Sequence, residues 1–96
     1  MLPVHFDPRA EAEARSAYLW YLERSPLAAE RFQVALEQAV YAVGESPLRY
    51  PEIDPGVRRR FLPGRFPYGL IYRIRDQVVE VIAVMHLHRR PGYWRS

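Results

Sequence analysis

The stretch Val78–Leu87, VVEVIAVMHL, constrains this chain most. Its ten residues are rich in Val and Ile and too apolar to leave either face in water. A strand covered on both faces sits inside its sheet, so the other elements must pack around it. Leu70, Tyr72 and Ile74 alternate with Ile71, Arg73 and Arg75 just before it, the two-residue period of a strand. Arg75, Asp76 and Gln77 interrupt the apolar run and predict a tight turn. Phe66–Arg75 and Val78–Leu87 therefore read as a β-hairpin.

The remaining elements follow from start and stop signals. Leu2–Phe6, LPVHF, reads as a first short strand with its proline at the tolerated end. Asp7-Pro8 is a helix start: Asp caps free amide groups, and Pro at the first helical position loses no hydrogen bond. The predicted helix runs to about Arg24, with Ala10, Ala14, Ala17, Tyr18, Tyr21 and Leu22 near one face. Ser25-Pro26 repeats the signal. A second helix to about Val43 carries Phe32, Leu36, Ala39, Val40 and Val43 at helical spacing, with Gly44 expected as a left-handed cap. With almost no residues between them, the helices must form an antiparallel hairpin. Pro47, Pro51 and Pro55 predict an irregular connection over 45–56. Val57–Leu62 reads as another short strand, and Pro63-Gly64 turns the chain into the hairpin.

The order is β-α-α-β-β-β in one domain, residues 1–96. Helices followed by strands indicate an α+β fold: a helical hairpin packed on a small, mainly antiparallel sheet. Strict alternation would put Val79, Val81, Ala83, Met85 and Leu87 against the helices. Val78, Glu80, Ile82, Val84 and His86 would face the other way. Together with Arg73 and Arg75, they would make a half-polar concavity suited to docking.

Composition narrows the function classes. The chain has no cysteine, so a disulfide framework and a thiolate site are excluded, and a cytoplasmic location is expected. No apolar run reaches membrane-spanning length, and early charges at Asp7, Arg9, Glu11 and Glu13 are unlike a signal peptide. The net charge is +3, and every basic residue other than histidine is arginine. Arginine forks onto carboxylate and phosphate, so the excess favours an acidic protein or a nucleic acid as partner.

At this point the residues resemble a known family. The segments AAERF after Ser25-Pro26, the Pro51-Glu52 loop, GRFPYGLIYRI and VVEVIAVMHLHRRPGYW are similar to the RelE/ParE superfamily of type II toxin–antitoxin toxins, closer to the ParE (plasmid stabilisation) branch. The resemblance runs from Val4 to Trp94. It implies a toxin held inactive by a cognate antitoxin, with one of two targets. ParE-like members inhibit DNA gyrase by protein–protein binding, and RelE-like members cleave mRNA on the ribosome.

The nuclease reading requires a base, cationic groups and an acid. Its candidates are Arg59, Arg73, His86, His88, Arg89 and Tyr93; the lysines of RelE-like members are missing. The binding reading requires only a surface. Its candidates are Trp20, Arg58, Arg60, Arg73, His86, His88, Arg89, Arg90, Tyr93 and Trp94, residue types that anchor interfaces. Arg58–Arg60 also reads as a solvated edge, and Trp94 as a ring folded back over the sheet. His86 and His88, with His5, could in principle hold zinc, but hydrogen-bonded histidines are the expectation, with no metal and no cofactor. Glu11, Glu13 and Glu30 read as surface charges.

Overall fold

Two cap-plus-proline signals start the helices where the sequence places them. The structure, a computed structural model, describes residues 1–95. Strand β1 (Val4–Phe6) leads into helix α1 (Pro8–Arg24), and helix α2 (Pro26–Glu45) follows at once. Asp7 accepts a hydrogen bond from Arg9 N at 2.8 Å. Ser25 serves both helices: its N–H donates to Tyr21 O, and its Oγ accepts from Ala28 N. One residue thus closes α1 and opens α2, which folds them into a hairpin.

Strands β2 (Glu52–Asp54), β3 (Val57–Phe61), β4 (Tyr68–Arg75) and β5 (Val78–His86) complete a five-stranded sheet in the order β1-β5-β4-β3-β2. Only β1 pairs parallel, with β5; the other pairings are antiparallel. β2 was not expected. Between Pro51 and Pro55 there is room for three residues, which pair with β3 as a proline-flanked edge. β5 lies between β1 and β4, the interior position its composition requires. Asp76 and Gln77 form the β4–β5 turn with φ of 52° and 63°, the two positive values that a two-residue hairpin of matching twist demands.

Two expectations are overturned. Gly44 is not a left-handed cap: it lies within α2, and the glycines with positive φ are Gly56, Gly64 and Gly92. Gly44 is small because β1 crosses it. Leu2 N donates to Gly44 O at 2.9 Å, and a Cβ there would stand 3.0 Å from both Leu2 O and Val4 Cγ2.

Strict alternation also fails along β5. A bulge shifts the pairing, so that Ile71 faces Ala83 while Tyr72 faces Val81, leaving Ile82 as the extra residue. Val79 and Val81 pack under the helices as expected, but past the bulge it is Val84 that joins them, with Phe32, Leu36, Ala39, Leu70 and Tyr72. Ala83 and Met85 turn to the outer face, where Ile71, Ile82 and Trp94 form a second cluster. Leu87 lies beyond the strand and is exposed. The helix-side core is joined to the hairpin by rings: Phe32 meets Tyr21, Phe66 and Tyr68 at centroid distances of 5.3–5.5 Å.

Gly44→Ala tests the crossing. Helix propensity alone would favour alanine by about 1 kcal/mol. Crowding against β1 should outweigh this and leave a net loss of about 1–2 kcal/mol, read as a lowered melting temperature.

Candidate functional site

β1 ends at Phe6, so β5 has no neighbour on that side beyond Val81, whose carbonyl accepts from Asp7 N at 2.9 Å. The unpaired edge is sealed by α1. Glu13 Oε1 accepts the Val84 N–H at 2.9 Å, where another strand would have supplied a carbonyl. Glu13 Oε2 accepts the Tyr93 hydroxyl. One carboxylate therefore ties together the helix, the bulged strand and the C-terminal segment, and both its oxygens are engaged. The sequence reading left Glu13 as a surface charge. Its one signal was that α1 otherwise shows small residues beside it, at Ala10, Ala14 and Ala17.

Above this tie lies a groove of about 590 Å³ between α1 and the end of β5, lined by Glu13, Ser16, Trp20, Tyr21, Tyr68, Val84, His86, Arg89 and Tyr93 among others. The bulge puts His86 here, on the helix side. His86 Nδ1 accepts the His88 N–H at 3.0 Å, and its ring meets Tyr68 edge-on at 5.0 Å. The Arg89 guanidinium covers the Tyr93 ring at 3.9 Å. Burial is the main reason the Tyr93 phenol is pushed well above its ordinary value; Glu13 adds to the rise, and Arg89 and Arg9 oppose it. Tyr93 thus keeps its proton at neutral pH. At the far end Trp20 is half exposed, with Arg24 stacked on it at 3.6 Å.

The remaining predicted residues are not brought to this groove. Arg73 is on the outer sheet face, bonded to Glu80 across the hairpin at 2.6 Å. The Arg- and His-bearing concavity expected from alternation is therefore absent, because the bulge separates His86 from Arg73.

The arginine run is not a solvated edge, since β2 lies outside it and all three side chains are half-buried. Arg58 and Arg60 share the helix-side face with their partners Tyr72 and Leu70, and Arg59 takes the outer face opposite Ile71. Arg58 Nη1 donates to Leu48 O and Tyr50 O, and its Nη2 to Glu52, so it holds the proline-rich connection. Tyr72 holds the same connection through Pro47 O at 2.7 Å. Arg60 bonds to Phe61 O and faces the Tyr50 ring, and Arg59 lies over Phe61.

Trp94 is 8% exposed and covers Ile71, Ile82, Ala83 and Met85, so of its two readings the structure gives the ring folded onto the sheet. Arg95 fastens the same turn to Asp54 on β2 at 3.1 Å. Arg90 and His88 are exposed. His5 is on β1 opposite Glu80, away from His86, and among the described residues no three His, Cys, Asp or Glu side chains are placed to share a metal ion. Among those residues no helix is long and apolar enough to cross a membrane.

A helical hairpin on a mostly antiparallel five-stranded sheet, with a C-terminal segment strapped across it, is the RelE/ParE-like fold. Over 92% of this chain and 98% of the other, it superposes with a TM-score of 0.78 and 18% identity on a chain of the chromosomal ParDE toxin–antitoxin system from P. aeruginosa. The family model for the ParE toxin of the type II toxin–antitoxin system parDE matches residues 4–91. Toxin RelE1 of Caulobacter vibrioides is 32% identical over 79 residues, covering 81% of this chain and 85% of that protein. The chain belongs to the ParE toxin family of type II toxin–antitoxin systems.

Two outcomes test the site. Trp94→Ala should lower stability by about 2–4 kcal/mol and increase binding of a hydrophobic dye, since it uncovers the outer cluster. Alkaline unfolding tests the Tyr93–Glu13 tie. A phenol whose pKa is raised on folding stabilises the protein fully below about pH 10, its value in the unfolded chain. That contribution is lost as the pH rises through the folded value, so stability should fall from about pH 10 upward. Tyr93→Phe should be less stable at neutral pH but show a shallower alkaline fall, measured by urea melts at pH 8, 10 and 11.

Proposed function

We propose that this toxin acts by binding another protein, with DNA gyrase as its target, and is neutralised by a cognate antitoxin in the cytoplasm. The observation that supports this reading is the dispersal of the cationic groups. Cleaving RNA requires a base, an acid and cations converging on one phosphate. Here Arg73 is bonded to Glu80, Arg58 to Glu52 and two carbonyls, and Arg59 projects from the opposite face to Arg58 and Arg60. None of them lines the groove that holds His86. A binder needs no such convergence. It needs exposed apolar and aromatic groups, and Leu19, Trp20, Leu22, Leu27, Val34 and Tyr41 supply them on the helical hairpin. That surface also gives an antitoxin its natural place to wrap.

One observation favours the ribosomal nuclease as a second reading: His86, Arg89 and Tyr93 share a groove. Against it, Glu13, the carboxylate beside them, has both oxygens occupied.

Supercoiling by purified gyrase should be inhibited by the free toxin and restored on adding the antitoxin. Cleavage of mRNA on stalled ribosomes should be absent. Cleavage that disappears in His86→Ala or Tyr93→Phe, with gyrase unaffected, would reverse the assignment.

A further inference from the structure

The outer face of the sheet, away from the helical hairpin, holds a cation that its own residues leave unanswered. Among the described residues four arginines are half-buried: Arg58, Arg59, Arg60 and Arg73. Three are engaged. Arg58 bonds to two carbonyls and Glu52, Arg60 to Phe61 O, and Arg73 to Glu80. The Arg59 side chain forms no hydrogen bond or ion pair among the described residues, and its Nε is buried without a partner.

The side chain is nonetheless held in place. Arg59 and Phe61 are two positions apart on β3, so both stand on the outer face. Phe61 pairs with Gly69 of β4. Because Gly69 has no side chain, both residues lie against its bare backbone: a Cβ there would stand 3.3 Å from Arg59 Cγ and 3.5 Å from Phe61 Cδ1. The Arg59 guanidinium then covers the Phe61 ring at 4.4 Å from its centroid. Phe61 itself is 44% exposed. The result is a platform, an open aromatic ring beside a fixed and unpaired guanidinium.

A guanidinium of fixed orientation selects an anion that accepts two parallel N–H donors, a carboxylate or a phosphate. The surroundings choose between them. Glu80 stands on the same face and Asp54 on the edge strand β2, each already bonded to an arginine. A nucleic acid brings a row of phosphates, which calls for a row of free cations and would meet these carboxylates. A single acidic side chain calls for one cation.

We propose that Arg59 and Phe61 form the contact for an acidic side chain, flanked by an apolar one, on the protein that the toxin targets. The carboxylate takes the Arg59 fork, and its apolar neighbour packs on the open edge of Phe61. Charge complementarity carries the assignment, since the target supplies the anion that the toxin does not. This rests on the protein-binding reading above and names the chemistry of the contact with the target, which in that reading is gyrase.

The test uses the full-length toxin and purified gyrase, with Kd and inhibition of supercoiling as readouts. Arg59→Gln should raise Kd about tenfold or more, as expected for losing a charge-assisted contact. Arg59→Lys keeps the charge but not the fork and should recover only part of that loss. Phe61→Ala should raise Kd about tenfold. The Arg59 effect should shrink at high salt. Arg75→Gln removes the same charge at the exposed hairpin turn; it is the control and should leave Kd unchanged. The platform faces away from the helical hairpin, so every variant should keep its melting curve and its affinity for the antitoxin.

Wild-type inhibition that Arg59→Gln and Phe61→Ala leave intact would overturn the platform while the toxin reading stands. A wild-type toxin that neither binds nor inhibits gyrase would remove that reading and the platform with it. Equal losses of affinity for gyrase and antitoxin would overturn the assignment to the target. Cleavage of ribosome-bound mRNA that depends on Arg59 would also overturn it, in favour of a phosphate.

Discussion

The bulge at Ile82 is the constraint on which the arrangement depends. A strand side chain belongs to whichever face its register gives it, and one inserted residue moves everything beyond it to the other face. Before the bulge, Val79 and Val81 fill the space under the helices. After it, Val84 and His86 take that side, and Ala83 and Met85 become the floor of a second cluster. Without the shift, His86 would lie on the same outer face as Arg73, Met85 would press into α1, and Trp94 would meet a different surface. The groove and the seat for the C-terminal turn are both consequences of one added residue.

Glu13 answers the backbone cost of this geometry. Once β1 has turned into α1, the edge of β5 would leave an amide directed at a helix rather than at a strand or at water. A buried, unpaired N–H costs about 1–3 kcal/mol, and the Glu13 carboxylate removes that cost while keeping an oxygen for Tyr93. The C-terminal turn is then held at three points: Tyr93 to α1, Trp94 to the outer cluster and Arg95 to β2. None of the three need be strong, because each lowers the entropy cost of forming the next.

The fold was legible wherever a local rule has a single solution. Asp7-Pro8 and Ser25-Pro26 admit little but helix starts, the one-residue gap between helices forces a hairpin, and Asp76-Gln77 between apolar runs makes a turn. The site was less legible, because its residues meet through pairings far apart in sequence. Val78–Met85 is apolar on both faces apart from Glu80, so periodicity carries no record of where alternation breaks. Gly44 looks like a helix stop when only its own helix is considered; the crossing strand that requires it comes forty residues earlier. The arginine run looked exposed because nothing in 45–56 suggested a further strand outside it. Trp94 could be read either way, since an apolar terminal ring is equally at home in a core or an interface until the surface beneath it is known.

The absence of lysine acquires a structural sense in this frame. Arg58 reaches two carbonyls with one nitrogen and a carboxylate with another, Arg24 combines a ring face with a backbone oxygen, and Arg89 lies flat on a phenol ring. A compact ammonium can satisfy one such demand at a time, while a planar guanidinium meets several at once and stays charged. Most of these cations are therefore structural parts that still project a positive field.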